Sequence, residues 1–246
     1  MRAGSKRVAL LALGCGLLSA CASVPVGAPP EINGLRRFGV GTGFFIGPDR
    51  VLTNFHVVGG CKALTVGNNY DATEVIATFM AGDRAADLAV LSAAAADVTP
   101  ARFKTAVDAN ATQTWAIVGY PEQQRNVPAL EAELDRVWID PFDFMGDPER
   151  FSFNGDVRRG NSGSPVLDDH GAVIGVVAQK LDTEMIYKMT GVLVNDVGVA
   201  ISNRKIFDFL RANQIAFQPS ASATTRSQRQ LLREAHGFVR QIGCWR

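Results

Sequence analysis

The chain has 246 residues, with 25 Lys+Arg against 24 Asp+Glu and a formal net charge of +1. Charge this close to neutral, with no basic stripe and no arginine-rich tail, excludes nucleic acid as an expected partner. The histidines His56, His170 and His236 are scattered, whereas a zinc site needs clustered ligands, so no metal or organic cofactor is expected.

Residues 1–20 read as a targeting segment. Arg2, Lys6 and Arg7 form a positive start, and Val8–Leu18 is an apolar core too short to span a bilayer. It ends in Leu18-Ser19-Ala20-Cys21, which resembles a bacterial lipobox and implies lipidation of Cys21. An ordinary cleaved signal peptide is the competing reading, and Cys15 is the poorer lipid site because little apolar core precedes it. Ala22 after the cysteine implies, for a Gram-negative lipoprotein, the outer membrane facing the periplasm. The segment takes three basic residues and no acid with it, so the mature chain stays near neutral. Residues 21–34, with Pro25, Pro29 and Pro30, read as a flexible tether.

From residue 35 short apolar runs alternate with Gly, Asn, Asp and Pro. Val40–Ile46, Arg50–Thr53, Leu64–Val66, Thr73–Phe79 and Leu88–Leu91 predict one set of strands. Gln113–Gly119, Arg136–Ile139, Phe151–Phe153, Ser164–Leu167, Val173–Ala178 and Val197–Ile201 predict a second. Gly47-Pro48-Asp49, Asn68-Asn69 and Asp168–Gly171 mark turns. The span 120–150 is rich in charge and proline and carries no clear pattern. Helical periodicity over 203–213 predicts a closing helix. Beyond it come a Ser/Thr/Ala linker, a short charged helix over Arg226–Ala235 and a last strand over Phe238–Trp245.

Three stretches carry chemistry. Gly160-Asn161-Ser162-Gly163-Ser164-Pro165 sets a serine among small residues in a sharp turn. If that turn aims the Gly160 and Ser162 N–H groups into one hollow, they can hold a developing oxyanion. Val51–Val58 reads as an apolar strand ending in His56, and Asp87 opens the strand Leu88–Leu91. A serine nucleophile needs a base, and the base needs an acid to fix its tautomer. Asp83 is the alternative acid. Together with Gly41-Thr42-Gly43-Phe44, these blocks resemble a trypsin-like serine peptidase of the bacterial HtrA type over residues 36–212.

That resemblance implies an all-β, chymotrypsin-like double β-barrel with a C-terminal helix and short tail. Residues 35–215 form the peptidase domain, with barrels over about 35–112 and 113–202 and the closing helix at 203–213. It implies His56, Asp87 and Ser162 as catalytic triad, with the oxyanion hole at Gly160 and Ser162. Residues 216–246 are too few for the PDZ domain usual in HtrA proteins, so none is expected. Asn161 replaces the aspartate that holds a freed N-terminus in digestive proteases, so activation by trimming is not expected. Ser164 gives the SGSP of glutamyl endopeptidases, but Val177 stands where their glutamate-reading histidine lies, so the resemblance does not extend to glutamate specificity. Asp156 lies where trypsin keeps its basic-residue selector, in a loop that differs, and reads as a solvated turn residue. Outside the cytosol Cys61 and Cys244 suggest a disulfide, with two buried thiols as the alternative. The expected function is a serine endopeptidase acting on envelope proteins, with a polypeptide substrate and a membrane contact through the N-terminal lipid. A catalytically silent peptide-binding or scaffold protein is the alternative.

Overall fold

Runs rich in Val, Ile, Phe and Thr, broken by turn residues, favour antiparallel pairing with their neighbours in sequence. The computed structural model describes residues 31–67, 74–95, 97–105, 114–124, 127–129, 131–139 and 146–246. The targeting segment with Cys21, most of the tether and the Asn68-Asn69 turn lie outside the described residues. The first strands are β1 (Glu31–Ile32), β2 (Leu35–Gly47), β3 (Arg50–Thr53), β4 (Ala63–Gly67), β5 (Glu74–Asp83) and β6 (Leu88–Ser92). Then come β7 (Arg102–Phe103), β8 (Thr114–Gly119), the hairpin β9–β10 (Glu122–Gln124 and Val127–Pro128), β11 (Glu133–Ile139) and β12 (Arg150–Asn154). Last are β13 (Pro165–Leu167), β14 (Val173–Lys180), β15 (Val197–Ser202), β16 (Gln218–Pro219) and β17 (Val239–Trp245).

In the first sheet β2, β17, β4, β5, β6 and β3 pair in that order, and a β2–β3 pairing closes the ring. In the second, β13, β8, β11, β12, β15 and β14 pair in order, and β13–β14 closes it. Two six-stranded barrels result, as the resemblance implies, and closure removes the free edges that invite further pairing. Trp115, Ile117, Val137, Phe153, Val166, Ile174 and Val177 belong to a core cluster within the second barrel. A larger cluster runs from Phe44, Leu52, Leu91 and Ile242 of the first barrel to Val118, Leu167, Val176 and Ile201 of the second. The second half of β2, from Gly41 to Gly47, is buried at every residue because one face fills its barrel and the other meets the neighbouring one.

Four helices stand among the described residues: α1 (Phe55–Val58), α2 (Thr183–Thr190), α3 (Asn203–Ala212) and α4 (Gln228–Ala235). In α3 the positions Ile206, Phe207 and Leu210 recur at helical spacing and are buried. Phe207 stacks on Phe217 at 4.4 Å between ring centres. Helix α2 buries no residue. Its signals are its caps: Asp182 accepts from Met185 N at 3.0 Å, and Gly191 takes φ 73°.

The tail is built in, and the first barrel runs past the 35–215 span. Residue Arg226 donates to Asp169 O at 2.8 Å from its backbone and pairs with Glu234, which pins the linker to the second barrel. Helix α4 opens with a full Ser227–Gln230 capping box and leads into β17, which lies between β2 and β4. Cys244 is bonded to Cys61, with Cα atoms 5.4 Å apart, and the buried Trp245 donates from Nε1 to Thr65 Oγ1 at 2.9 Å. The last strand is thus a stave of the first barrel. A chain ending at Gly237 should lose cooperative thermal unfolding and collect in the insoluble fraction. A soluble protein melting near the full-length chain would contradict this topology.

Candidate active site

Strand β3 stops at Thr53, so the strand expected to reach His56 ends earlier and gives way to the single turn α1. The buried Asn54 makes the bend and donates from Nδ2 to Asp87 O at 3.0 Å. Residue Asp87 sits just before β6 with φ 56°, a left-handed conformation that Asp tolerates better than most residues. Its carboxylate meets His56 twice. Oδ1 accepts from the His56 backbone N at 2.9 Å, and Oδ2 lies 2.8 Å from Nδ1. A carboxylate against Nδ1 holds the proton there and leaves Nε2 as the basic nitrogen. Asp83 is occupied elsewhere, accepting from Ala85 N at 2.8 Å and Ala86 N at 3.0 Å. It shapes the turn that delivers Asp87.

Ser162 lies on the loop between β12 and β13. Gly160 and Gly163 take φ of 91° and 87°, and a Cβ at either would overlap backbone, Tyr120 O in the first case and Thr42 O in the second. The loop is stapled from the first barrel by Thr42. Its N donates to Ser162 O at 2.8 Å, and its Oγ1 donates to Gly160 O at 2.7 Å while accepting from Tyr120 N at 3.0 Å. Beside it, a Cβ at Gly41 would come within 2.6 Å of Val57 Cγ1, so glycine there lets α1 lie close to the serine loop. The GTGF block was legible as a hallmark, but the part played by Thr42 was not.

The Arg159 carbonyl accepts from Glu122 N at 2.6 Å. In a trans peptide this turns the Gly160 N–H to the opposite side. No described residue accepts from the N–H of Gly160 or of Ser162. Asn161 is fully buried, and its Oδ1 accepts from Arg158 N at 2.9 Å, which closes the loop on itself.

His56, Asp87 and Ser162 line one cleft of about 610 Å³. The Ser162 hydroxyl donates to Ala178 O at 3.4 Å, and no hydrogen bond joins it to the His56 ring. Such catalytic contacts commonly tighten only when substrate arrives. The cleft is walled by Val157–Arg159 on one side and Ala178–Lys180 on the other. Asp156 is exposed, pairs with Arg158 Nε at 3.3 Å and is absent from the cleft lining. Arg158 also reaches Glu133 at 2.9 Å and Asp135 at 3.4 Å. Burial raises the Asp135 carboxyl above its ordinary range, and the Arg158 charge only partly offsets it. Burial pulls the Arg158 guanidinium down, but the Glu133 hydrogen bond and the surrounding carboxylates outweigh it and hold it above its ordinary value. His170 and His236 lie away from this cleft, in the β13–β14 turn and at the end of α4.

The model of the trypsin-like peptidase domain matches residues 41–176. The serine protease Rv3671c of Mycobacterium tuberculosis is 36% identical over 143 residues, covering 56% of this chain and 35% of the relative. The serine protease Do-like HtrA of Bacillus subtilis is 30% identical over 141 residues, 54% of this chain and 31% of the relative. This chain therefore spans about a third of the length of the curated relatives it matches. A crystal structure of the M. tuberculosis Rv3671c protease in its active form superposes with a TM-score of 0.54 at 26% identity, covering 76% of this chain and 78% of that one. With the family model covering more than half of its residues, the chain belongs to the trypsin-like peptidase family.

Proposed function

We propose that this chain is a serine endopeptidase that cleaves polypeptides through His56, Asp87 and Ser162. The observation that carries the reading is the double grip of the Asp87 carboxylate on His56, at the backbone N and at Nδ1, on the cleft that also holds Ser162. Ser162 Oγ attacks the scissile carbonyl carbon and passes its proton to His56 Nε2. Asp87 stabilises the imidazolium that forms. The carbonyl oxygen becomes an oxyanion held by the N–H groups of Gly160 and Ser162. The tetrahedral intermediate expels the amine, which leaves with the His56 proton. Water then gives a proton to His56 and attacks the acyl ester, releasing the new C-terminus and restoring Ser162. Substrates are exposed segments of envelope proteins, a reading that rests on the targeting segment.

Ser162→Ala and His56→Ala should each remove nearly all turnover of a casein substrate, and the double variant should be hardly worse than either, because the residues act as a unit. Asp87→Asn should cost about 10⁴-fold in kcat by presenting the wrong tautomer. Asp83→Asn should be mild in the same assay. A severe Asp83→Asn beside a mild Asp87→Asn would reverse the acid assignment.

We also propose an outer-membrane lipoprotein anchored at Cys21, on the strength of Leu18-Ser19-Ala20-Cys21. Replacing Cys21 by Ser should move the protein from the membrane to the soluble fraction and abolish labelling with radioactive palmitate. Unchanged labelling would remove the anchor from the account.

A further inference from the structure

Among the residues that line the Ser162 cleft, cations outnumber acids four to one. Arg150, Arg158, Arg159 and Lys180 line it, and the acid among the lining residues, Asp87, is engaged by His56. Two of the cations are neutralised in place. Arg158 is held by Glu133, Asp135 and Asp156, and Lys180 Nζ lies 2.6 Å from Asp196 Oδ1. Arg150 and Arg159 have no ion-pair partner among the described residues. Arg159 is exposed and directly precedes Gly160, so its side chain starts next to the hollow where the scissile carbonyl would sit. It also lines a second hollow of about 340 Å³ on its other side, but there Glu122 offers an opposite charge and Arg37 is already paired with Glu74. Arg159 therefore borders both hollows, and the Ser162 cleft is the one it shares with Arg150. The apolar residues that line that cleft are Val157 and Ala178, both buried.

We infer that the cleft selects substrates with an acidic side chain at the residue whose carbonyl is attacked, with Arg159 as the main specificity-determining residue and Arg150 in support. A guanidinium presents parallel N–H donors that match a carboxylate two by two, which a neutral amide cannot reproduce. This inference rests on the proposed role of Ser162 as nucleophile. It does not use the histidine that reads glutamate in glutamyl endopeptidases, whose place is taken by Val177.

Binding separates the inference from the activity beneath it. The full chain carrying Ser162→Ala is titrated into fluorescein-labelled Ala-Ala-Pro-Glu-Ala-Ala and its Gln counterpart, and fluorescence anisotropy is read at low and high salt. The Glu peptide should bind about fivefold tighter at low salt, the upper end for an exposed charge pair, and the advantage should shrink at 1 M salt as screening sets in. Adding Arg159→Gln should bring the ratio close to one. Arg150→Gln should lower it by a smaller factor. Equal binding of both peptides, no measurable preference at any concentration reached, or a preference that survives both substitutions would overturn the inference. Wild-type cleavage of the Glu peptide is followed in parallel. Absent cleavage with the binding preference intact would overturn the proposed peptidase activity and leave the acidic subsite standing.

Discussion

Thr42 is the residue on which the geometry of the site depends. It sits in the first barrel, yet its N–H and hydroxyl hold the carbonyls of Ser162 and Gly160 in the second. Its own carbonyl accepts from Thr53 Oγ1 at 2.7 Å, at the end of the strand that leads to His56. One fully buried residue therefore fixes the spacing between the histidine and the serine loop. Valine matches its shape but would leave Gly160 O and Tyr120 N without this partner, at a cost of about 1–3 kcal/mol for each buried group. The glycines follow from the same constraint. The loop lies so close to β2 and to Tyr120 that a side chain at Gly160 or Gly163 would collide with backbone.

Within the first barrel a second constraint orients His56. The left-handed turn at Asp87 lets one carboxylate reach both the backbone and the ring of His56, while Asn54 ties the Asp87 carbonyl from below. Half of the His56 side chain stays exposed, whereas four-fifths of Asp87 is covered. The Asp87 carboxylate is shielded while the His56 ring is open to the cleft, an arrangement that fits the base role proposed for His56. The two barrels thus contribute separable parts, His56 held by Asp87 from one, and from the other Ser162 with the N–H groups of Gly160 and Ser162, which no described residue accepts from.

Much of this was legible in the sequence because it is local. The runs before His56 and after Asp87, and the glycines around Ser162, are strand and turn signals that need no tertiary information. What was not legible is pairing across the chain. Phe238–Trp245 reads as a strand, but nothing in its mostly buried residues says that β2 and β4 flank it; Cys61 and Cys244 were the one hint. Helix α2 escaped because it is only eight residues long and is marked mainly by its caps, Asp182 and Gly191. The charge of the cleft was hidden for a related reason. Arg150 and Lys180 lie on strands either side of β15 and join Arg159 only when the second barrel closes.

In the proposed mechanism His56, held by Asp87, activates Ser162. Labelling with a fluorophosphonate probe, located by mass mapping of the digested protein, reads that activation without a substrate. The expected result is modification at Ser162 in the folded wild-type chain and its loss when His56 is replaced by Ala. Folded wild-type protein that takes no label, or that is labelled at Ser162 equally well without His56, would contradict it.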